Sequence, residues 1–378
     1  MSVDWNMRRG VRQGGYSLIE LAVVLLIVGL LGVATWRFLP NIEQVLGMHA
    51  SQNRLTVAED SLLGFARLHG RLPCPDVTGD GREDCSYGGK IITRGQLPTS
   101  DLGLSPDDRS ILYGVSRVSN ADPSKDADLG AKLNRYQPMM PTGQDLSINL
   151  NGLDLCAGLR DLNQHPGSAI DVGSGATAMP VAIALADPGM DHKFNGLNAT
   201  GFALPMQAHS PQYDDLVIAL GVSQLMGRLD CASTMSSVQG AVHAAYAAYD
   251  VKLYAIQYSD FRTFLQAVAQ SAVQDATVAL GLAVADLAIG IANGTTAIGL
   301  AFVTEGIEAP LVVMTAADIV SAIASLAATI ADLDSANADL VVANAEAAAA
   351  TAYLTDMSNK YSAEKLKASR ADTGGLIP

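Results

Sequence analysis

The chain has 378 residues and a formal net charge of −14. It therefore lacks the excess of Lys and Arg that binds a phosphate backbone, and we expect no direct binding of nucleic acid. Aromatic residues make up 5% of the chain, so a core must be built mainly from Ala, Val and Leu. The length allows two domains.

The first predicted element is a basic leader followed by an apolar helix. The leader ends at Gly15, and the chain is apolar from Leu18 to Trp36 except for Glu20 and Thr35. This stretch of roughly 19 residues is close to the ~20 that a helix needs to cross a bilayer. No small-residue cleavage site follows it, so we expect the helix to be retained. The leader arginines place the body outside the cytoplasm. They are Arg8, Arg9 and Arg12.

The junction GGYSLIEL, residues 14–21, resembles the processing signal of type IV prepilins and of the pseudopilins of type II secretion. The resemblance implies that prepilin peptidase cleaves between Gly15 and Tyr16, and that the new amine of Tyr16 is methylated. It also implies that Glu20 pairs with the N-terminal amine of a neighbouring subunit during assembly. The alternative is an anchor helix whose carboxylate lies unpaired at the level of the lipid headgroups.

Beyond the anchor, the apolar spacing predicts an amphipathic stem helix that passes Pro40 with a bend and stops at His69-Gly70. The stem positions are Ile42, Val45, Leu46, Leu55, Leu62, Leu63, Phe65 and Leu68. The predicted organisation is a leader (1–15), a transmembrane and stem helix (16–70), a head (71–232) and an Ala-rich helical region (233–378).

The head is predicted to contain short strands bounded by turn residues, at 111–115, 181–186 and 216–220. It looks like the head of large prepilin-like proteins in three segments: LPCPD (72–76), LPTSDLGL (97–104) and YDDLVIAL (213–220). The expected fold class is α+β, with a type IV pilin-like N-terminal helix packed on an antiparallel-sheet head and an all-α C-terminal appendix.

The export signal places the four cysteines in an oxidising compartment, where disulfides form. Three pairings are possible. We favour Cys74 with Cys85, which closes a short loop, and Cys156 with Cys231, which closes a long one.

The loop at residues 76–84 has two interpretations. Asp76, Thr78, Asp80 and Asp84 occupy positions 1, 3, 5 and 9 of an EF-hand-like pattern, and Gly81 occupies position 6. The bidentate Glu expected at position 12 is replaced by Tyr87. The loop is therefore either a Ca²⁺ site completed by another segment or a turn closed by the Cys74–Cys85 disulfide, with no ion.

No catalytic constellation stands out, and we expect no enzymatic activity. The histidines are scattered, without an HExxH or GxSxG motif or a phosphate loop. The pairs Asp107-Asp108 and Asp214-Asp215 are interpreted as solvated turn or strand-edge residues. Ser362 and Lys365 fit SxxK by chance.

The Ala-rich region is predicted to form several long helices with turns at Asn293-Gly294 and Gly306 to Pro310. Asp286 and Asp318 interrupt its apolar runs and favour a soluble hairpin or bundle, and a membrane- or partner-inserting hairpin is the alternative.

The expected function is that of a minor pilin or pseudopilin, held in the bacterial inner membrane by one span with its body in the periplasm, and then moved to a filament or the cell surface. Its expected partners are prepilin peptidase and other pilin or pseudopilin subunits. The alternative is a pilin-anchored binding or adhesion module that presents the helical region.

Overall fold

The computed structural model describes residues 17–118, 126–141, 150–165, 170–208, 210, 212–303 and 309–377, without the side chains of 35–46, 299–303 and 309–312. The chain divides into two compact units. The head unit comprises the described residues of Met1–Tyr136, Ile148–Thr234 and Gly374–Pro378. The hairpin unit comprises those of Gln137–Ser147 and Met235–Thr373.

Helix α1, Leu18–His69, is the longest element of the head unit and continues through Pro40 as one helix. It ends because Gly70 adopts a left-handed conformation (φ 64°) and donates its N–H to the carbonyl of Ala66. The stem side of α1 is buried at Leu55 and Leu62. Leu68, predicted to be on the same side, is 70% exposed, because about 100° per residue places it roughly 140° around the helix from Leu55.

The main sheet of the head has four antiparallel strands in the order β3-β4-β7-β8. They are β3 (Arg94–Gln96), β4 (Leu112–Val115), β7 (Ile183–Asp187) and β8 (Leu216–Leu220). Helix α1 packs against β7 and β8. The mixture of helix and antiparallel sheet predicted for this chain is confirmed.

Two small antiparallel pairs accompany the main sheet. One joins β1 (Ser86–Tyr87) to β2 (Lys90–Ile91), and the other joins β5 (Ile170–Val172) to β6 (Met179–Val181). The run 181–186, predicted as one strand, is therefore divided between β6 and β7, which belong to different sheets. A core cluster that includes Leu112, Val172 and Phe202 fills the space between them.

Short helices complete the head unit. They are α2 (Thr99–Leu102), α3 (Gly152–Gln164) and α4 (Val222–Arg228). Asn151 caps α3 by accepting a hydrogen bond from the N–H of Leu153. Leu376 is buried and lies against Gly152 at the start of α3, so the chain after the long C-terminal helix returns to the head.

The hairpin unit consists of two long helices, α5 (Cys231–Val303) and α6 (Ala309–Gly374), and α5 begins in the head unit. The turn predicted at Asn293-Gly294 is wrong, since α5 continues through both residues. The pair remains helical because packing against α6 outweighs the weak helix propensity of Asn and Gly. The helices run antiparallel, with the rings of Tyr249 and Tyr361 tilted by 53° at 5.4 Å between centroids and Gly294 against Ile319.

Candidate functional site

The N-terminal segment of α1 presents an apolar surface that nothing in the head unit covers. Every residue from Ser17 to Ala34 is exposed, including Leu18 at 85% and Leu25 at 63%. A continuous exposed surface of this kind marks contact with another protein or a membrane. Gly15 and Tyr16, the expected cleavage and methylation residues, lie outside the described residues.

Glu20 is the only charged residue between Leu18 and Ala34. Its Oε2 accepts a hydrogen bond of 3.2 Å from the backbone N–H of Ser17. The carboxylate thus turns back toward the N-terminal end of α1, where the helix dipole favours negative charge.

The head is fixed to the stem by a partly buried charge cluster that the sequence did not indicate. Arg54 on α1 lies 3.0 Å from Oδ2 of Asp187 on β7 and 3.0 Å from Oδ1 of Asp108. Ser51, one turn earlier on α1, donates a 2.8 Å hydrogen bond to the other oxygen of Asp187. Asp187 is fully buried. These contacts bind the stem helix to the end of a central strand.

Both disulfides have the pairing that the sequence favours, Cys74–Cys85 and Cys156–Cys231. A second buried ion pair lies beside the first disulfide. The guanidinium of Arg117 binds both carboxylate oxygens of Asp128, at 2.8 and 3.0 Å, and lies 3.1 Å from the sulfur of Cys74. The loop between Cys74 and Cys85 is therefore held both by the disulfide and by the contact of Arg117 with Cys74.

The candidate calcium loop is closed by its own hydrogen bonds. Both oxygens of Asp76 accept backbone N–H groups, from Gly79 at 2.6 Å and from Gly81 at 2.7 Å. Asp84 Oδ2 accepts the N–H groups of Val77 and Thr78, and the Val77 bond lowers the pKa of Asp84.

A protein cation also faces this loop. Arg109 donates to the carbonyl of Gly79 at 2.9 Å, and Asp80 Oδ1 accepts the N–H of Arg82. These hydrogen bonds hold the loop closed without an ion, and the Ca²⁺ site at Asp76, Thr78, Asp80 and Asp84 stays a prediction. Within the described ranges, the one metal-like group is Glu83 with Cys74 and Cys85, whose sulfurs are joined in the disulfide.

The two aspartate pairs form structural contacts, so the solvated interpretation is wrong for Asp215 and Asp108. Asp215 is buried, and its Oδ2 accepts hydrogen bonds from Asn198 and from the N–H of Asn195. Burial raises the pKa of Asp215, although the Asn198 bond opposes this. Asp214 accepts the N–H groups of Met190 and Asp191. These carboxylates order the loop before β8.

Of the three segments compared above with a prepilin-like head, the first two are neighbours in the head unit. Asp76 of LPCPD forms a β-bridge with Gln96, at the end of β3 and beside LPTSDLGL. Tyr213 of YDDLVIAL accepts a hydrogen bond from buried Asn198. No family model, no curated protein and no solved structure matches the chain.

Proposed function

We propose that the chain is a large, minor subunit of the type IV pilin or pseudopilin class. It would be cleaved by prepilin peptidase between Gly15 and Tyr16, held in the inner membrane, and assembled into or at the tip of a pilus or type II secretion filament. The observation that carries the proposal is helix α1, whose N-terminal segment is apolar and exposed while its stem packs on an antiparallel sheet. This arrangement agrees with the GGYSLIEL resemblance.

Glu20 supplies the assembly chemistry in this proposal. Among the described residues of one subunit, the helix terminus and the Ser17 N–H compensate its charge. When α1 helices pack side by side, the amine of Tyr16 on a neighbouring subunit provides the opposite charge. A carboxylate in an apolar surrounding needs such a partner. Pairing is therefore expected to select the axial position of each new subunit.

The minor role follows from the size of the hairpin unit. Residues 235–373 add two long helices to the head, and a helical array built on thin N-terminal helices has little room for them around every subunit. A tip position has no neighbour above it. Quantitative proteomics of sheared filaments tests this point: we expect far fewer copies than of the major subunit, and equal stoichiometry contradicts the assignment.

The assembly role is tested by comparing Glu20→Gln with Glu20→Ala. Glutamine keeps a side chain that can accept the Ser17 N–H but removes the charge. If Glu20 acts by pairing with an amine, both variants are cleaved and inserted, and both are missing from sheared filaments. Incorporation of the Gln variant at the wild-type level means that Glu20 only caps α1, and it contradicts the assembly role.

Processing is tested separately with Gly15→Ala. The peptidase recognises the small residue before the cut, so we expect an uncleaved precursor in the membrane. Mass spectrometry that finds a mature Tyr16 terminus in this variant contradicts the cleavage assignment.

A second candidate function, a pilin-anchored binding or adhesion module, is favoured by the exposed apolar helices of the hairpin unit. Replacing residues 235–373 with a short Gly-Ser linker distinguishes the two while keeping Leu376, which is buried in the head. Normal filaments with lost adhesion or secretion favour the binding module, whereas lost filaments favour the structural role.

A further inference from the structure

The distal hairpin, residues 276–303 of α5 and 309–331 of α6, is apolar and nearly uncharged. The sequence contains no Lys, Arg or His between Arg262 and Lys360. Within the distal hairpin, Asp286 on α5 and Asp318 on α6 are the only charged residues. By contrast, the proximal part of the hairpin, residues 235–275 and 332–373, carries an ion pair between Arg262 and Glu346.

Among the described side chains of the distal hairpin, the large apolar ones on opposite sides of the helices are exposed, and the buried ones include Ala283 and Ala297. Each helix contains an 18-residue stretch apolar enough to cross a membrane, of which 6% in α5 and 0% in α6 is buried. At about 100° per residue, Val278 and Leu282 lie on the side of α5 opposite Val284 and Ile291. All four are exposed. One partner on one face cannot cover both sides.

Glycine allows the two helices to approach closely. Gly290 and Gly294 form a GxxxG pattern on α5, and both face Ile319 of α6. A Cβ at Gly294 would lie 3.0 Å from Cδ1 of Ile319, and one at Gly290 would lie 3.5 Å from its Cγ1. Small residues at this spacing are typical of helix pairs packed within a membrane.

The polar side chains of the distal hairpin turn toward one cleft between the helices. The cleft is lined by polar residues of both helices: Asp286, Asn293, Asp318, Ser321 and Ser325. Intramembrane polar residues are expected on such an inner face.

The threonine hydroxyls are satisfied within their own helices. Thr277 donates to the carbonyl of Val273, and Thr295 and Thr296 donate to that of Ala292. Such bonds hide hydroxyl groups from a surrounding hydrocarbon phase. The lengths also fit, because at 1.5 Å per residue the two segments extend roughly 42 and 34 Å, more than the ~30 Å of a hydrocarbon core.

We propose that the distal hairpin inserts into the acyl core of a lipid bilayer as an antiparallel helix pair, with its polar cleft between the helices. A bilayer covers an apolar surface on all sides, whereas a second copy would cover one stripe and favour apolar residues there. The acidic side chains of the proximal part repel anionic lipid headgroups, so we expect the hairpin to insert into zwitterionic lipid in preference to anionic lipid. This inference is independent of the pilin-like assembly role, and it replaces the single-pass expectation with a second membrane contact.

The proposal is tested with the full chain reconstituted in phosphatidylcholine vesicles. All four cysteines are in disulfides, so Val320→Cys and Val341→Cys each provide one labelling site on α6. The two valines are matched, at 68% and 67% exposed. With a nitrobenzoxadiazole label, we expect residue 320 to be quenched by doxyl lipids and protected from iodide. The label at residue 341 should be quenched by iodide only.

Two outcomes overturn the proposal. Iodide quenching at residue 320 equal to that at residue 341 places the distal hairpin in water. Protection at residue 320 from both quenchers means that protein, such as a second copy, covers this surface.

A second measurement uses a label at Ile298→Cys, which reports on α5. Adding Val320→Lys places a charge on the lipid-facing surface, and we expect iodide quenching of the residue 298 label to rise several-fold. Adding Val341→Lys should leave the quenching unchanged. An equal response to the two lysines contradicts insertion, because the position of the charge along α6 would not matter.

Discussion

Nη1 of Arg54, on the stem helix α1, lies 3.0 Å from Oδ2 of Asp187, a fully buried residue at the end of the central strand β7. The ion pair connects the helix that carries the exposed apolar segment to the sheet of the head. Asp187 also accepts hydrogen bonds from Ser51 and from the N–H of Gly189. One buried carboxylate therefore receives three of the contacts at the junction of α1 with the end of β7.

Replacing Arg54 with Ala is expected to lower the free energy of unfolding of the head by about 3–5 kcal/mol, because Asp187 would remain buried without its cation. The control is Arg160→Ala, which removes an arginine that is 53% exposed. There we expect a loss of at most ~1 kcal/mol. Pulse proteolysis in urea, on the detergent-solubilised chain, measures both. Equal losses would show that the Arg54–Asp187 pair does not stabilise the head.

The end of α1 is tested by two Gly→Ala changes in the same helix region. Gly70 has φ 64°, and a Cβ there would lie 2.6 Å from the carbonyl carbon of Asn151. Gly70→Ala is therefore expected to destabilise the head by at least ~1–2 kcal/mol. Gly64 is helical with nothing within 4 Å of a Cβ, so Gly64→Ala should stabilise by up to ~1 kcal/mol. Thermal unfolding should shift in opposite directions, and a shift in the same direction contradicts the assigned helix end.

The two disulfides are expected to contribute unequally. Cys156–Cys231 has a sequence separation of 75, and Cys74–Cys85 has one of 11. In the chain-entropy model, removal of the longer loop costs about 4.5 kcal/mol and removal of the shorter about 3 kcal/mol. Double Cys→Ser variants of each pair, unfolded in urea, provide the measurement. A larger loss for Cys74–Cys85 would mean that its contact with Arg117, and not loop closure, dominates.

Glu83 is expected to make the stability of the head depend on acid pH. Burial raises the pKa of Glu83, but hydrogen bonds from Arg71 and from the Cys74 N–H outweigh this and hold it below the ordinary 4.5. A carboxylate with a lowered folded pKa stabilises above the unfolded value and loses that contribution as the pH falls through the folded pKa.

The free-energy difference between the wild type and Glu83→Gln should therefore shrink as the pH is lowered from about 7 to about 3. Urea unfolding at a series of pH values measures this difference. A difference that stays constant over the range would show that the charge of Glu83 does not contribute.

Local sequence patterns predicted the helices and strands whose formation depends mainly on residues adjacent along the chain. The apolar run after Gly15, the stem spacing of Leu55 and Leu62 and the β-run 216–220 correspond to elements of the structure. The same reasoning failed at Asn293-Gly294, where local turn chemistry gave way to packing against α6. It also predicted 181–186 as one strand, whereas the structure divides this run between β6 and β7, which belong to different sheets.

The sequence by itself determined the apolar N-terminal helix with its single carboxylate and the strand run 216–220, because residues that are neighbours along the chain are enough to favour these elements. It also indicated the pairing of the cysteines. Only the tertiary structure decided that Asp187 meets Arg54, and that Asp286 and Asp318 turn toward the same cleft. Each of these pairs is separated by more than 30 residues along the chain, and no local pattern encodes their distance. Their pairing depends on how whole elements pack.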